Sequence, residues 1–148
     1  MEELKPAIIL LVEDDPSDQK LVRVSLQKQR IANELHVVSS GEEALDFLYQ
    51  RGRYQEGVPR PDLILLDLNM PGMGGKEFLR RIKEDKNLKT EPVVILTTSD
   101  SEQDIIDSYN LQAGGYVKKP VSLEEFKEVM KQIGEYWFVI CKLPSKVD

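Results

Sequence analysis

The sequence predicts a doubly wound α/β domain on one five-stranded parallel sheet. Three apolar runs predict it, Ile8–Val12, Leu63–Leu66 and Val93–Leu96, each bounded by turn residues or charges and none alternating with polar residues. Strands covered on both faces read this way. Helical segments lie between and after the runs, and short links with right-handed crossovers turn strand–helix repetition into a doubly wound sheet.

Along the chain, Ile8–Val12 is the first strand, and Asp15-Pro16 opens a helix with an N-cap acid and a proline at the first helical position. Leu21, Val22, Val24, Ser25 and Leu26 give that helix its inner face. Leu35–Val38 is a weaker strand, and Ser40-Gly41-Glu42-Glu43 reads as a capping box for the second helix. Arg51–Pro61 is the longest loop, leading into Leu63–Leu66. A third helix runs from about Gly75 to Asp85, with Phe78, Leu79 and Ile82 inward. After Val93–Leu96, Ser99-Asp100-Ser101-Glu102 is a second capping box, Tyr116–Lys118 a short fifth strand, and Ser122-Leu123-Glu124-Glu125 a third box. That last box opens an amphipathic helix carrying Phe126, Met130, Ile133, Trp137 and Ile140. The expectation is one domain over 1–148, with a core at about 7–140 and a short extension at 141–148.

Composition narrows the function. At 148 residues, with 41% hydrophobic and 31% charged residues, the chain can bury a proper core. A net charge of −6 argues against a general nucleic-acid binder. The one cysteine, Cys141, leaves no internal disulfide and no Cys/His zinc array, which suits a reducing cytoplasm. Met1–Lys5 lacks the start of a secretory signal, and the longest apolar run is too short for a bilayer. The expected location is cytoplasmic, with neither a membrane segment nor a DNA-binding domain.

Open parallel sheets carry their functional groups at the carboxyl ends of the strands. Glu13, Asp14 and Asp15 follow the first strand, Asp67 the third, Thr97, Thr98 and Ser99 the fourth, and Lys119-Pro120 the fifth. If strands one and three are neighbours, Glu13, Asp14 and Asp67 converge. Three adjacent carboxylates repel, and a hard divalent ion such as Mg²⁺ resolves the conflict. Asp67 is then placed as a nucleophile for a phosphoryl group. Lys119 is the counter-charge for one phosphoryl oxygen, and Thr97 a hydroxyl donor to another. Each feature alone has an ordinary meaning: an N-cap, a Lys-Pro turn, a β-forming threonine. Their joint order after successive strands carries the chemistry.

These segments resemble the receiver domains of two-component response regulators, the CheY-like family, from about Ala7 to Ile140. The matching stretches are Ile8–Asp15, Leu63–Met73, Val93–Thr97 and Tyr116–Pro120. The resemblance implies strand order 2-1-3-4-5, Asp67 as phosphoacceptor and Asp14 as a direct Mg²⁺ ligand. It implies that Glu13 holds the metal through water, that Asn69 lends its backbone carbonyl, and that Thr97 and Tyr116 are the switch residues. It also implies Lys119 as the phosphate-binding lysine, a cis Lys119–Pro120 bond, and an output face of helix 4, strand 5 and helix 5. Glu13 stands where many members have Asp, and Gly74 replaces an acid common before Gly75, which affects the cap of the third helix. The Arg51–Pro61 loop, Leu96–Ser99 and the ending Tyr136-Trp137-Phe138…Leu143-Pro144 are further similar to the small stand-alone regulators that partner bacterial phytochromes. That implies a phytochrome-type sensor histidine kinase as phosphodonor, and a homodimer.

The chain is thus expected to be a self-phosphorylating switch, not a turnover enzyme. A haloacid-dehalogenase-like phosphatase would want a second Asp two residues after its nucleophile, where Asn69 stands, and its nucleophile on the first strand. A flavodoxin-like FMN binder needs a hydroxyl-rich loop where this chain has acids. A phosphate-independent receiver-like interaction module is the remaining rival. His36, inside the second strand, reads as an ordinary strand residue.

Overall fold

The structure, a computed structural model, describes residues 7–27, 33–68, 70, 72–97, 107 and 115–118. Five parallel strands, β1 Ala7–Val12, β2 Asn33–Val38, β3 Leu63–Asp67, β4 Val93–Thr97 and β5 Gly115–Lys118, form one sheet in the order β2-β1-β3-β4-β5. Helices α1 Pro16–Gln27, α2 Gly41–Tyr49 and α3 Gly74–Glu84 connect them, with a 3-10 turn at Gly52–Tyr54. The expected helices after Ser99 and Ser122 lie outside the described residues, as do Asn69, Ser99, Lys119, Pro120, Tyr136–Phe138 and Cys141. Among the described residues no helix is long and apolar enough to cross a membrane.

The unbroken apolar runs follow from burial on both faces. On one face Leu10, Val12, Ile64, Leu66, Val93 and Ile95 pack against Ala44, Leu45 and Phe47 of α2 and Phe78, Leu79 and Ile82 of α3. On the other, Ile9, Leu11, Leu63, Leu65, Val94 and Leu96 pack against Val22 and Leu26 of α1. Odd and even positions along β1, β3 and β4 thus serve opposite cores, as the period of two requires. Val22 and Leu26, one helical turn apart, are the buried part of the expected α1 face. His36 is half-buried against the Phe47 ring at 5.3 Å and bonded to Glu34, as an ordinary strand residue would be.

Two differences from the sequence reading have physical reasons. β3 and β4 each run one residue further, to Asp67 and Thr97, because Asp67 pairs with Leu96 and Thr97 with Lys118 in the ladder. The α2 box forms half as expected: the Glu43 amide donates to Ser40 Oγ at 3.0 Å, but the Glu43 carboxylate accepts from the Ser39 amide at 2.8 Å. The Arg51–Pro61 loop, the longest in the sequence reading, packs against α2. Tyr54 meets the Phe47 ring edge-on at 5.1 Å, and both Tyr54 and Arg53 donate to Glu43.

The exposed side of α3 carries Glu77 between Arg80 and Arg81, at 2.5 and 2.9 Å. Hydrogen bonds from Arg80 and then Arg81 lower the Glu77 carboxyl from 4.5 to about 2. A lowered carboxyl contributes stability above its unfolded value, lost as pH falls through the folded one. In denaturant melts, wild-type protein should exceed Glu77→Gln by a small margin above about pH 4.5, a margin that closes as pH falls toward about 2. A margin independent of pH would contradict the ion-pair origin.

Candidate functional site

β1 and β3 are hydrogen-bonded neighbours with Val12 beside Leu66, so whatever follows Val12 stands next to Asp67. Glu13 and Asp67 are 1% and 5% exposed, while Asp14 is partly exposed. One carboxylate oxygen from each of Glu13, Asp14 and Asp67 lies within 4.8 Å of the other two. The convergence inferred from strand adjacency is therefore present.

The loop bearing the first two acids is held at several points. The Glu13 amide donates to the Val38 carbonyl at 3.0 Å, tying the loop to the end of β2. The Asp15 amide approaches the Glu13 carboxylate at 3.4 Å, and the Ser17 amide donates to Asp15 Oδ1 at 2.8 Å, so Asp15 caps α1. The side-chain amide of Gln19 donates to the Glu13 carbonyl at 2.6 Å.

Behind Asp67 the chain turns into α3. Gly72 and Gly74 adopt φ of +76° and +77°, which non-glycine residues rarely take, and no side chain caps the helix at Met73. The glycine at 74 thus serves a left-handed turn, where an acid would have served as a cap. Gly75 comes closer still: a Cβ there would meet the Asp67 carbonyl oxygen at 2.3 Å and Leu68 Cα at 2.5 Å. Sequence reasoning gave neither Gln19 nor Gly75 a role at the site. Gly75 left a trace in its glycine-rich surroundings, and Gln19 left none.

Thr97 is the last residue of β4, its backbone paired with Lys118, one residue before Lys119; Tyr116 pairs with Ile95. The side chains of Thr97 and Tyr116, like Asn69 and Lys119 altogether, lie outside the described residues. The donor set suits a hard divalent cation: three oxygens, two of them on buried acids.

A doubly wound parallel sheet thus gathers an acidic pocket at its carboxyl edge, where open parallel sheets carry their functional groups. The chain belongs to the response regulator receiver domain family, whose model matches residues 9–131. It is 43% identical over 140 residues to the response regulator Rcp1 of Synechocystis sp., covering 95% of each chain. The Mn²⁺-bound crystal structure of Rcp1 superposes with a TM-score of 0.81 at 43% identity, covering 89% of this chain and 94% of that one. The phosphorylated cyanobacterial phytochrome response regulator RcpA superposes at 0.83 with 41% identity, covering 90% and 95%. Membership removes the phosphatase and FMN readings.

Proposed function

We propose that the chain is a single receiver domain over 1–148 that takes a phosphoryl group from a phytochrome-type sensor histidine kinase onto Asp67. The observation that carries this reading is the meeting of Glu13, Asp14 and Asp67 within 4.8 Å at one strand edge. A partly exposed acid beside two buried ones leaves an approach for a phosphodonor. Similarity to RcpA over nine-tenths of the chain supports the phytochrome kinase, and the Mn²⁺ bound to Rcp1 supports a divalent ion, Mg²⁺ in the cell. The location is cytoplasmic, where such a kinase presents its phosphohistidine.

In this reading a carboxylate oxygen of Asp67 attacks the phosphorus of the kinase phosphohistidine, the new P–O bond forms, and the P–N bond breaks in line. Glu13, Asp14 and Asp67, with the Asn69 carbonyl, would hold the ion, Glu13 through water. When bound, Mg²⁺ neutralises charge on the transferring phosphoryl group. Lys119 balances a second phosphoryl oxygen, and the Thr97 hydroxyl donates to a third. The movement of Thr97 frees space for Tyr116 and shifts the face made by β5 and its flanking helices between two packings. Water near Asn69 and Ser99 later hydrolyses the acyl phosphate. A homodimer through the segment around Tyr136-Trp137-Phe138 belongs to the same proposal.

The test is incubation with acetyl phosphate and Mg²⁺, followed by intact mass. A gain of one phosphoryl group, lost with excess chelator, is expected. No gain at any Mg²⁺ concentration would leave the phosphate-independent module as the better description. The kinase assignment is tested by transfer rates from a phytochrome-type kinase and an unrelated one; equal rates would remove it.

A further inference from the structure

Asp14 and Glu13 reach the pocket from a loop that belongs to neither β1 nor α1, so something must fix its direction. The Glu13 carbonyl and the Asp14 amide share one peptide plane, and the orientation of that plane sets where the Asp14 side chain points. Gln19, half-buried on the first turn of α1, holds this plane from the helix: its Nε2 donates to the Glu13 carbonyl at 2.6 Å. Gln19 is itself held, because its backbone amide donates to the Asp15 carbonyl at 2.9 Å. One residue thus bridges both ends of the acidic loop.

We propose that Gln19 is a positioning residue for the metal-binding acids, acting through the Glu13–Asp14 peptide and not by touching the ion. The proposal rests on the reading of Glu13, Asp14 and Asp67 as metal ligands. The side-chain chemistry fits the task. A lysine or arginine could also donate to the carbonyl, but its charge would compete with the cation. A glutamate would lose the donor and add another acid. A glutamine holds the loop and leaves the charge of the pocket unchanged.

The experiment titrates Mn²⁺ into the full chain, following free ion by electron paramagnetic resonance, for wild type, Gln19→Leu and Gln19→Met. Both variants keep good helix formers on α1 and remove only the donor. Supports of ligand-bearing groups typically carry about tenfold in metal affinity. Mn²⁺ binding should therefore weaken about tenfold, and the Mg²⁺ concentration giving half-maximal acetyl phosphate labelling should rise by the same factor. The labelling rate at saturating Mg²⁺ should stay near wild type, a split that general loosening of the fold would not produce. Wild-type Mn²⁺ affinity in either variant would overturn the proposal. So would a fallen maximal rate with unchanged metal dependence, or loss of a cooperative melt in chelator by both variants. Failure of the wild type itself to bind Mn²⁺ would instead sink the metal reading beneath it.

Discussion

Asp67→Asn is expected to abolish phosphoryl gain from acetyl phosphate and, in the same molecule, to raise stability when chelator is present. The first effect is chemical. An amide of the same shape has its nitrogen lone pair delocalised and no anionic oxygen to attack phosphorus, so covalent capture stops. The second is electrostatic. Three carboxylates within 4.8 Å, two of them buried, repel in a medium less polarisable than water. Removing one charge should stabilise the metal-free protein by on the order of 1 kcal/mol. Mg²⁺ reverses the ranking. At one hundred times its dissociation constant a ligand of the native state alone adds about 2.7 kcal/mol, and the variant, short of one anionic oxygen, should gain much less. The two melting curves should therefore change order between chelator and Mg²⁺. Asp14→Asn should also gain stability in chelator, yet still label when Mg²⁺ is raised, because in the proposed reading Asp14 holds the ion and Asp67 takes the phosphoryl group. Labelling that survives in Asp67→Asn would remove that residue from its role. Parallel shifts with no change of order would dissolve the shared metal pocket.

What could be read from the sequence divides by the range of the interaction. The β1, β3 and β4 runs were legible because burial on both faces writes itself into consecutive residues. The acids were legible because β1 and β3 both end where they stand, so adjacency of two strands brings them together. Less legible was anything depending on which atom meets which across the fold. The Arg51–Pro61 segment reads only as the longest loop, yet Arg53 and Tyr54 close on Glu43, and Arg60 pairs with the buried Glu91. Glu43 was expected to cap the Ser40 amide and turned one residue back, to Ser39, while also receiving the loop. Gln19 looks like any polar residue on an exposed helical turn, since its partner is a carbonyl that no pattern marks. Propensity and periodicity describe a residue's own segment; these contacts belong to two segments at once.

Gly75→Ala should be the most damaging single methyl that can be added near the site. The incoming carbon would sit 2.3 Å from the Asp67 carbonyl oxygen, 2.5 Å from Leu68 Cα and 3.0 Å from the Asp67 carbonyl carbon. All three are backbone atoms, so no side chain can turn aside, and either α3 or the end of β3 must move. Neither is free to do so cheaply. Phe78, Leu79 and Ile82 anchor α3 in the core at full burial, and β3 pairs with β1 on one side and β4 on the other. Overpacking usually costs about 1–3 kcal/mol, and a backbone clash between two anchored elements belongs at the upper end. For a chain of this length that means a melting temperature lower by roughly 6–12 °C. The displacement falls on the peptide carrying Asp67, so Mn²⁺ affinity should fall together with stability. Gly74→Ala separates space from conformation: nothing lies within 4 Å of its added carbon, but φ there is +77°. Its cost is the left-handed backbone alone, about 1–2 kcal/mol, and Gly74→Asn should recover part of it because asparagine tolerates that region. Thermal melts should therefore rank the variants with Gly75→Ala lowest, Gly74→Ala above it and Gly74→Asn nearest wild type. Wild-type stability in Gly75→Ala would mean that α3 does not approach the end of β3 as closely as these distances require, and the geometry behind Asp67 would have to be redrawn.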